Sequence, residues 1–324
     1  MADLFEPTTI NGMQLKNRFV RSATWEGMAR PDGACTDSLI KLMTDLAEGD
    51  VGLIVTGHTY VEKRGQASPG QLGIYDDQLK PGLEQLAGAV HDRGGKIVLQ
   101  LAHAGLFADS TLTGQPPVAP SAVSEYTETT PLEMTDQDIE QTIDAFEKAA
   151  RRAVDAGFDG VQIHAAHGYL LSQFLSPWFN RRKDDYGGTF DNRIRIHLET
   201  IRAIREAVGS DYPILVKMNG EDFSDGGLTV EESVAAAKQM VAAGLDAVEL
   251  SGGLLTGGKL SPSRPNINKE EKEAYFKDTA RTFKKELDVP LILVGGIRSL
   301  GVAERLMAGG TADYFSMSRP LIRE

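Results

Sequence analysis

The chain has 324 residues, 41% of them hydrophobic, enough to bury one large α/β domain or two smaller ones. Its net charge of −12 argues against nucleic acid or an anionic membrane as partner, because the average field repels phosphate. Cys35 is the single cysteine, which rules out an internal disulfide and argues against a cysteine-ligated iron–sulfur cluster or structural zinc site.

The start, Met1 to Pro7, lacks the basic and apolar regions of a signal peptide, and no window approaches the ~18 apolar residues of a membrane span, so a cytoplasmic protein is expected. Residues 8–15 carry an Asn11-Gly12 turn between β-prone segments and predict a small hairpin. Eight short apolar runs follow, at 18–21, 51–55, 96–100, 160–163, 213–217, 246–250, 290–294 and 312–316. Segments of helical periodicity separate them, at 78–93, 135–156, 191–208, 229–243, 269–286 and 300–308. This rhythm predicts a (β/α)8 TIM barrel; the alternative, a doubly wound open sheet, would want a glycine-rich dinucleotide fingerprint after an early strand, and none is present. No linker divides the chain, so residues 1–324 read as one domain. Long loops are expected after strand three, 104–134, and after strand four, 172–190, on the side where barrels hold their active sites. The eight residues after strand eight are too short for a full closing helix, which leaves open a naturally abrupt end or a truncated C-terminus.

Barrel geometry aims the polar residues at strand C-termini toward a common mouth. These are Ser22, Ala23, Thr24 and Trp25; Gly57 and His58; Gln100 and His103; His164 and His167; Lys217 and Asn219; Ser251; and Arg298. In His164-Ala165-Ala166-His167-Gly168-Tyr169 the glycine lets the segment turn, so two imidazoles and a phenol can converge on one small molecule. The His-x-x-His spacing also suits a metal with His103 as third ligand, although no carboxylate sits in the motif. As hydrogen-bond donors the imidazoles would stabilise charge developing on a carbonyl oxygen, and Tyr169 would deliver a proton. Gly295-Gly296-Ile297-Arg298 after strand seven and Ser318-Arg319 after strand eight fall where barrels commonly bind phosphate. Lys217 reads as a Schiff-base nucleophile, as a cation beside an electron-rich cofactor, or as a salt-bridged lysine.

Taken together, these residues resemble the old yellow enzyme family of FMN-dependent NAD(P)H oxidoreductases, from about Leu4 to Arg319. The most specific stretch is His164-Ala165-Ala166-His167-Gly168-Tyr169-Leu170-Leu171-Ser172-Gln173-Phe174-Leu175-Ser176-Pro177, continuing through Asn180, Arg182, Asp185-Tyr186-Gly187-Gly188 and Asn192-Arg193. Asn17-Arg18, Ser22-Ala23, Gln100-Leu101-Ala102-His103-Ala104-Gly105 and Ser318-Arg319-Pro320 support it. The resemblance implies a barrel with FMN across its mouth and NADH or NADPH as reductant. Gln100 would meet the flavin pyrimidine edge and Lys217 its N1–C2=O region, while Gly57 would let the ring approach strand two. Ser22, Ala23, Thr24 and Trp25 would line the flavin, and Gly295, Gly296, Ser318 and Arg319 would hold its phosphate. His164 and His167 would bind the substrate's activating oxygen, with Tyr169 as proton donor in the reduction of an α,β-unsaturated carbonyl or related small molecule bearing an electron-withdrawing group.

Two positions depart from the family pattern. Trp25 stands where many members keep Cys or Thr, and Lys217 where Arg is more usual, which removes a planar fork. The larger members add a cysteine-ligated cluster and further domains, and the single cysteine speaks against that version within these residues. The competing functions are a Schiff-base lyase using Lys217 and a non-enzymatic flavin-binding redox partner. Association into a homo-oligomer is compatible with the sequence, which does not specify it.

Overall fold

The computed structural model describes residues 3–127 and 129–323. Eight parallel strands form its centre: β1 (Phe19–Arg21), β2 (Leu53–Val55), β3 (Ile97–Ala102), β4 (Gly160–Ala165), β5 (Ile214–Asn219), β6 (Ala247–Ser251), β7 (Leu291–Val294) and β8 (Tyr314–Met317). Each pairs with the next and β8 pairs back with β1, so the sheet closes into the expected (β/α)8 barrel. Strands covered on both faces read as nearly continuous apolar runs, which is why the sequence displayed them clearly.

Helices α1 (Asp37–Glu48), α2 (Lys80–His91), α3 (Asp136–Asp155), α4 (Phe190–Val208), α5 (Val230–Ala242), α6 (Lys277–Glu286) and α7 (Leu300–Ala308) run between the strands. Thr36, Thr135, Thr189 and Thr229 each cap one of them by accepting a backbone N–H in its first turn. Thr135 and Asp138 do so reciprocally, and α3 buries Ile139, Phe146, Ala149, Ala150 and Ala153 as one stripe.

The sequence reading passed over α1, although Leu39, Met43 and Leu46 lie buried along one face at helical spacing. The helix expected over 269–286 begins only at Lys277. Before it, Ala274 takes φ +49°, and the Glu273 carboxylate accepts from the backbone N–H groups of Arg298 and Ser299, capping the start of α7 instead of extending α6. A further long loop, 252–276, was therefore missed at the barrel mouth. The loop expected over 172–190 opens with a short helix, Leu170–Leu175, and that over 104–134 contains the paired segments Val118–Ala119 and Leu132–Glu133. Strand eight is followed by a four-residue helix, Pro320–Arg323. Among the described residues no helix is long and apolar enough to cross a membrane.

Alternation along the strands stacks the barrel interior in layers. Val20, Leu53, Val98, Leu215, Ala247, Ile292 and Tyr314 form an apolar floor, closed from below by Ile10, Met13 and Leu15 of the predicted hairpin, Thr8–Ile10 with Met13–Leu15. Tyr314 fastens the hairpin through its hydroxyl, 3.0 Å from Thr8 Oγ1. Two residues further along the strands the interior turns polar, with Ser22, Gln100, Gln162, Lys217, Glu249 and Ser316 all buried. His164, Asn219 and Ser251 continue the same phase at the mouth.

Candidate active site

β4 delivers His164 at its end, and the chain then turns sharply through His167 and Gly168, at φ +64° and +86°. A left-handed histidine is strained by about 1–3 kcal/mol and persists only where its surroundings fix it. Here Asn219 Oδ1 accepts the His167 N–H at 3.1 Å, and the Leu255 N–H donates to the His167 carbonyl at 3.1 Å. Asn219 is itself held by buried Asp222, to which its amide donates at 2.9 Å. Beneath the turn, Gln173 Nε2 donates to the Gly168 carbonyl at 2.6 Å.

The turn brings the predicted trio together. The His164 ring lies 5.3 Å from that of His167 and 4.8 Å from that of Tyr169, centre to centre. The Ala166 N–H donates to His164 Nδ1 at 3.3 Å, which leaves Nε2 to carry the proton of the neutral ring. His167 Nε2 lies 2.8 Å from Ser251 Oγ. Burial, reinforced by neighbouring His167, His58 and Lys217, holds His164 well below the usual histidine range, and burial with Lys217 brings His167 down to about 3. Burial pushes the Tyr169 phenol up to about 12. At neutral pH the site therefore offers two uncharged imidazoles and a fully protonated phenol. His58, which sequence reasoning placed at a strand end without a role, belongs to the cluster: its Nε2 lies 3.4 Å from the Tyr169 hydroxyl, and burial lowers it to about 4.

His103 does not join them. Its Nδ1 accepts from the Gly105 N–H at 3.0 Å and its Nε2 points toward Glu62, 3.5 Å away. Among the described residues no group of three or more side chains is arranged to hold a metal ion.

Beside the trio a cavity of about 720 Å³ opens across the mouth, within the ~300–1,000 Å³ usual for cofactor sites. Ser22, Ala23, Thr24, His167 and Lys217 line its inner side, and Gly295, Gly296, Ser318 and Arg319 its far end. The glycines have φ +126° and +76°, and a Cβ on Gly296 would fall 2.8 Å from the Tyr275 ring, so the cradle cannot take a side chain without displacing it. Arg319 donates to the Arg264 carbonyl at 2.8 Å, tying this end to loop 252–276. A glycine cradle with an arginine at one end and a lysine at the other fits a phosphate-bearing ring system such as FMN. Lys217 donates to Ser22 Oγ at 2.8 Å and lies 3.2 Å from Glu249 Oε1. An amine nucleophile needs a neutral nitrogen, and a carboxylate partner counts against the Schiff-base reading.

Three of the residues expected to bind the cofactor stand apart from the cavity lining. Trp25 is 51% exposed on the rim. Gln100 lies below, its amide donating to Gln162 Oε1 at 2.7 Å. Gly57 faces Glu26, whose carboxylate accepts its N–H at 3.0 Å while pairing with buried Arg21 at 2.7 Å. A Cβ at position 57 would collide with Glu26 Oε2 and lie 2.7 Å from the Thr24 carbonyl, so the structure gives this glycine a reason that involves no ligand. Gly57→Ala is expected to lower stability by about 1–3 kcal/mol, read as a fall in the urea midpoint; an unchanged midpoint would show that Glu26 moves aside freely.

A family model described as the NADH:flavin oxidoreductase / NADH oxidase family matches residues 3–324. The chain belongs to this family. Its cofactors are FMN and NADH or NADPH, and it stands among the old yellow enzyme homologues. It is 41% identical over 325 residues to a metal reductase of Desulforamulus reducens, covering 100% of this chain and 48% of that protein. An NADPH dehydrogenase of Geobacillus sp. is 40% identical over 99% of this chain and 91% of its own length. Among solved structures, a 2-naphthoyl-CoA reductase in complex with 2-naphthoyl-CoA superposes with TM-score 0.93 at 31% identity, over 99% of this chain and 50% of that one. The old yellow enzyme homologue from Zymomonas mobilis gives TM-score 0.84 at 28% identity, over 99% and 90%. The chain thus spans about half the length of some relatives and nine-tenths of others.

Proposed function

We propose that this barrel is an ene-reductase, reducing the activated C=C bond of α,β-unsaturated carbonyl or related compounds at the expense of NADH or NADPH. The observation that carries this reading is the convergence of His164, His167 and Tyr169, two neutral donors and a protonated phenol, beside the lysine-floored cavity. FMN, when bound there, would supply the hydride chemistry that links the nicotinamide to the alkene β-carbon. His164 Nε2–H and the His167 ring hold the carbonyl oxygen; because negative charge grows there as hydride adds, their hydrogen bonds strengthen toward the transition state. Neutral imidazoles suit this task, since they stabilise the developing charge without adding a cation to a buried site that already contains Lys217. Tyr169 gives its proton to the α-carbon and regains one from solvent, with His58 Nε2 3.4 Å from its hydroxyl. Gly295, Gly296, Ser318 and Arg319 would hold the cofactor phosphate, and Ser22, Ala23, Thr24 and Lys217 its ring.

Purified protein reconstituted with FMN is expected to be yellow and to consume NADH or NADPH faster when cyclohexenone is added, with a panel of enones, nitroalkenes and enoates locating the substrate class. A protein that takes up no FMN overturns the reading. One that binds FMN and oxidises NAD(P)H without reducing any alkene of the panel would instead be a flavin-binding redox partner.

A further inference from the structure

Glu249 sits at 0% exposure in the middle of β6, and the proposed chemistry makes no use of it. Its Oε1 accepts from Ser22 Oγ and from Ser316 Oγ, both at 2.8 Å, and its Oε2 accepts from Gln162 Nε2 at 2.8 Å. Lys217 Nζ stands 3.2 Å from Oε1 and donates to the same Ser22 hydroxyl at 2.8 Å, so Ser22 bridges the two charges. In the sheet, Lys217 is directly opposite Glu249 on one side and His164 on the other. Lys217 lines the cavity, whereas Glu249 lies beneath it.

A buried carboxylate is costly, and an apolar side chain would fill this layer without the penalty. The contacts of its Oε1, Ser22, Ser316 and Lys217, all line the cavity, and its Oε2 is held by Gln162. From this geometry we infer that Glu249 is a positioning residue: it fixes the Lys217 ammonium at the cavity floor and offsets its charge, so that the cofactor ring meets a compensated ion pair and not a lone cation. The inference rests on the FMN reading above. It also gives the lysine at this position a physical setting, because a single-point ammonium can be held by one carboxylate and one hydroxyl where a guanidinium fork would need more partners.

The test compares FMN-loaded wild type, Glu249→Gln, Lys217→Met and the double variant, reading sulfite affinity and flavin midpoint potential, both of which respond to charge at the ring. Glu249→Gln should bind sulfite about tenfold more tightly, equivalent to a rise of about 30 mV for a two-electron couple, since the anionic form then faces an uncompensated cation. Lys217→Met should shift both quantities the other way, and the double variant should return toward wild type. A purely structural role for Glu249 would not give shifts of opposite sign. Unchanged values in Glu249→Gln, or shifts of one sign in both single variants, overturn the inference. If Glu249→Gln does not fold, the double variant, in which both charges leave together, must bind sulfite more tightly than Lys217→Met; equal affinity overturns it. Wild-type protein that takes up no FMN overturns the flavin reading and this inference with it, whereas a yellow wild type with unresponsive variants overturns the inference alone.

Discussion

Tyr169→Phe is expected to leave FMN reduction by NAD(P)H close to the wild-type rate and to slow alkene reduction by about 10²–10⁴-fold, the usual contribution of a positioned general acid. The phenol is buried and held up to about 12, so it is protonated throughout the working range and gives up its proton only to a strongly basic carbon. Phenylalanine keeps the ring that packs with Ala104 and Ala108 and against His164, so the loss isolates the hydroxyl. Only His58 stands within hydrogen-bond distance of that hydroxyl among the described residues, at 3.4 Å, and its ring is neutral at pH 7. Stopped-flow measurement of the two half-reactions separates the outcomes. Equal slowing of both would mean that Tyr169 shapes the cofactor site and does not donate the proton. An alkene step slowed less than about tenfold would move the donor role to His58 or water.

What the sequence displayed was set by periodicity. Eight doubly buried strands stand out as apolar runs, and a glycine between two histidines and a tyrosine announces a turn that gathers them. Strand phase, by contrast, could have exposed more than it did: Gln162 and Glu249 precede His164 and Ser251 by two residues, so any reading that points the latter inward points the former inward too. Glu249 in an otherwise apolar run, Ala247-Val248-Glu249-Leu250, was the strongest such signal, since an acidic residue at a core position demands partners. Loop 252–276 left no comparable trace. Its course depends on Tyr275 lying over Gly295 and Gly296, and on Arg264 stacking 4.5 Å from the Tyr275 ring centre, contacts between segments that no local pattern specifies. The true start of α6 was hidden for the same reason, because Glu273 is drawn away by the first amides of α7. Gly57 shows the opposite lesson: a glycine at a strand end invites a ligand-based explanation, yet the Arg21–Glu26 pair already occupies the space in front of it.

Mild acid should unfold this protein well before its carboxylates titrate. Five of the six histidines are held down in the folded chain, His58, His103 and His197 to about 4, His167 to about 3 and His164 well below the ordinary value, with burial the leading cause in each. In the unfolded chain the same rings take a proton near ~6.5. Above that pH both states carry neutral imidazoles and nothing is lost. As pH falls from about 6.5 toward 4 the unfolded state gains protons that the folded state refuses, so stability declines through that window. His103 and His197, buried outside the catalytic cluster, would together remove about 4 kcal/mol by pH 5, a large share of the ~5–15 kcal/mol that typically holds a fold. The carboxylate contribution follows later: Asp138, brought down to about 2 despite its burial by hydrogen bonds from Thr135 and Arg64, loses its stabilising effect only below about pH 4. Urea midpoints measured from pH 7.5 to 5 should be level above about 7 and fall steeply below 6, with the slope reporting several protons taken up on unfolding. His197→Leu, which removes one of these rings from a position away from the cavity, should reduce that slope by about one proton. Midpoints that stay level down to pH 5 would mean that the buried histidines accept protons in the folded state, and the neutral-donor chemistry assigned to His164 and His167 would fall with them.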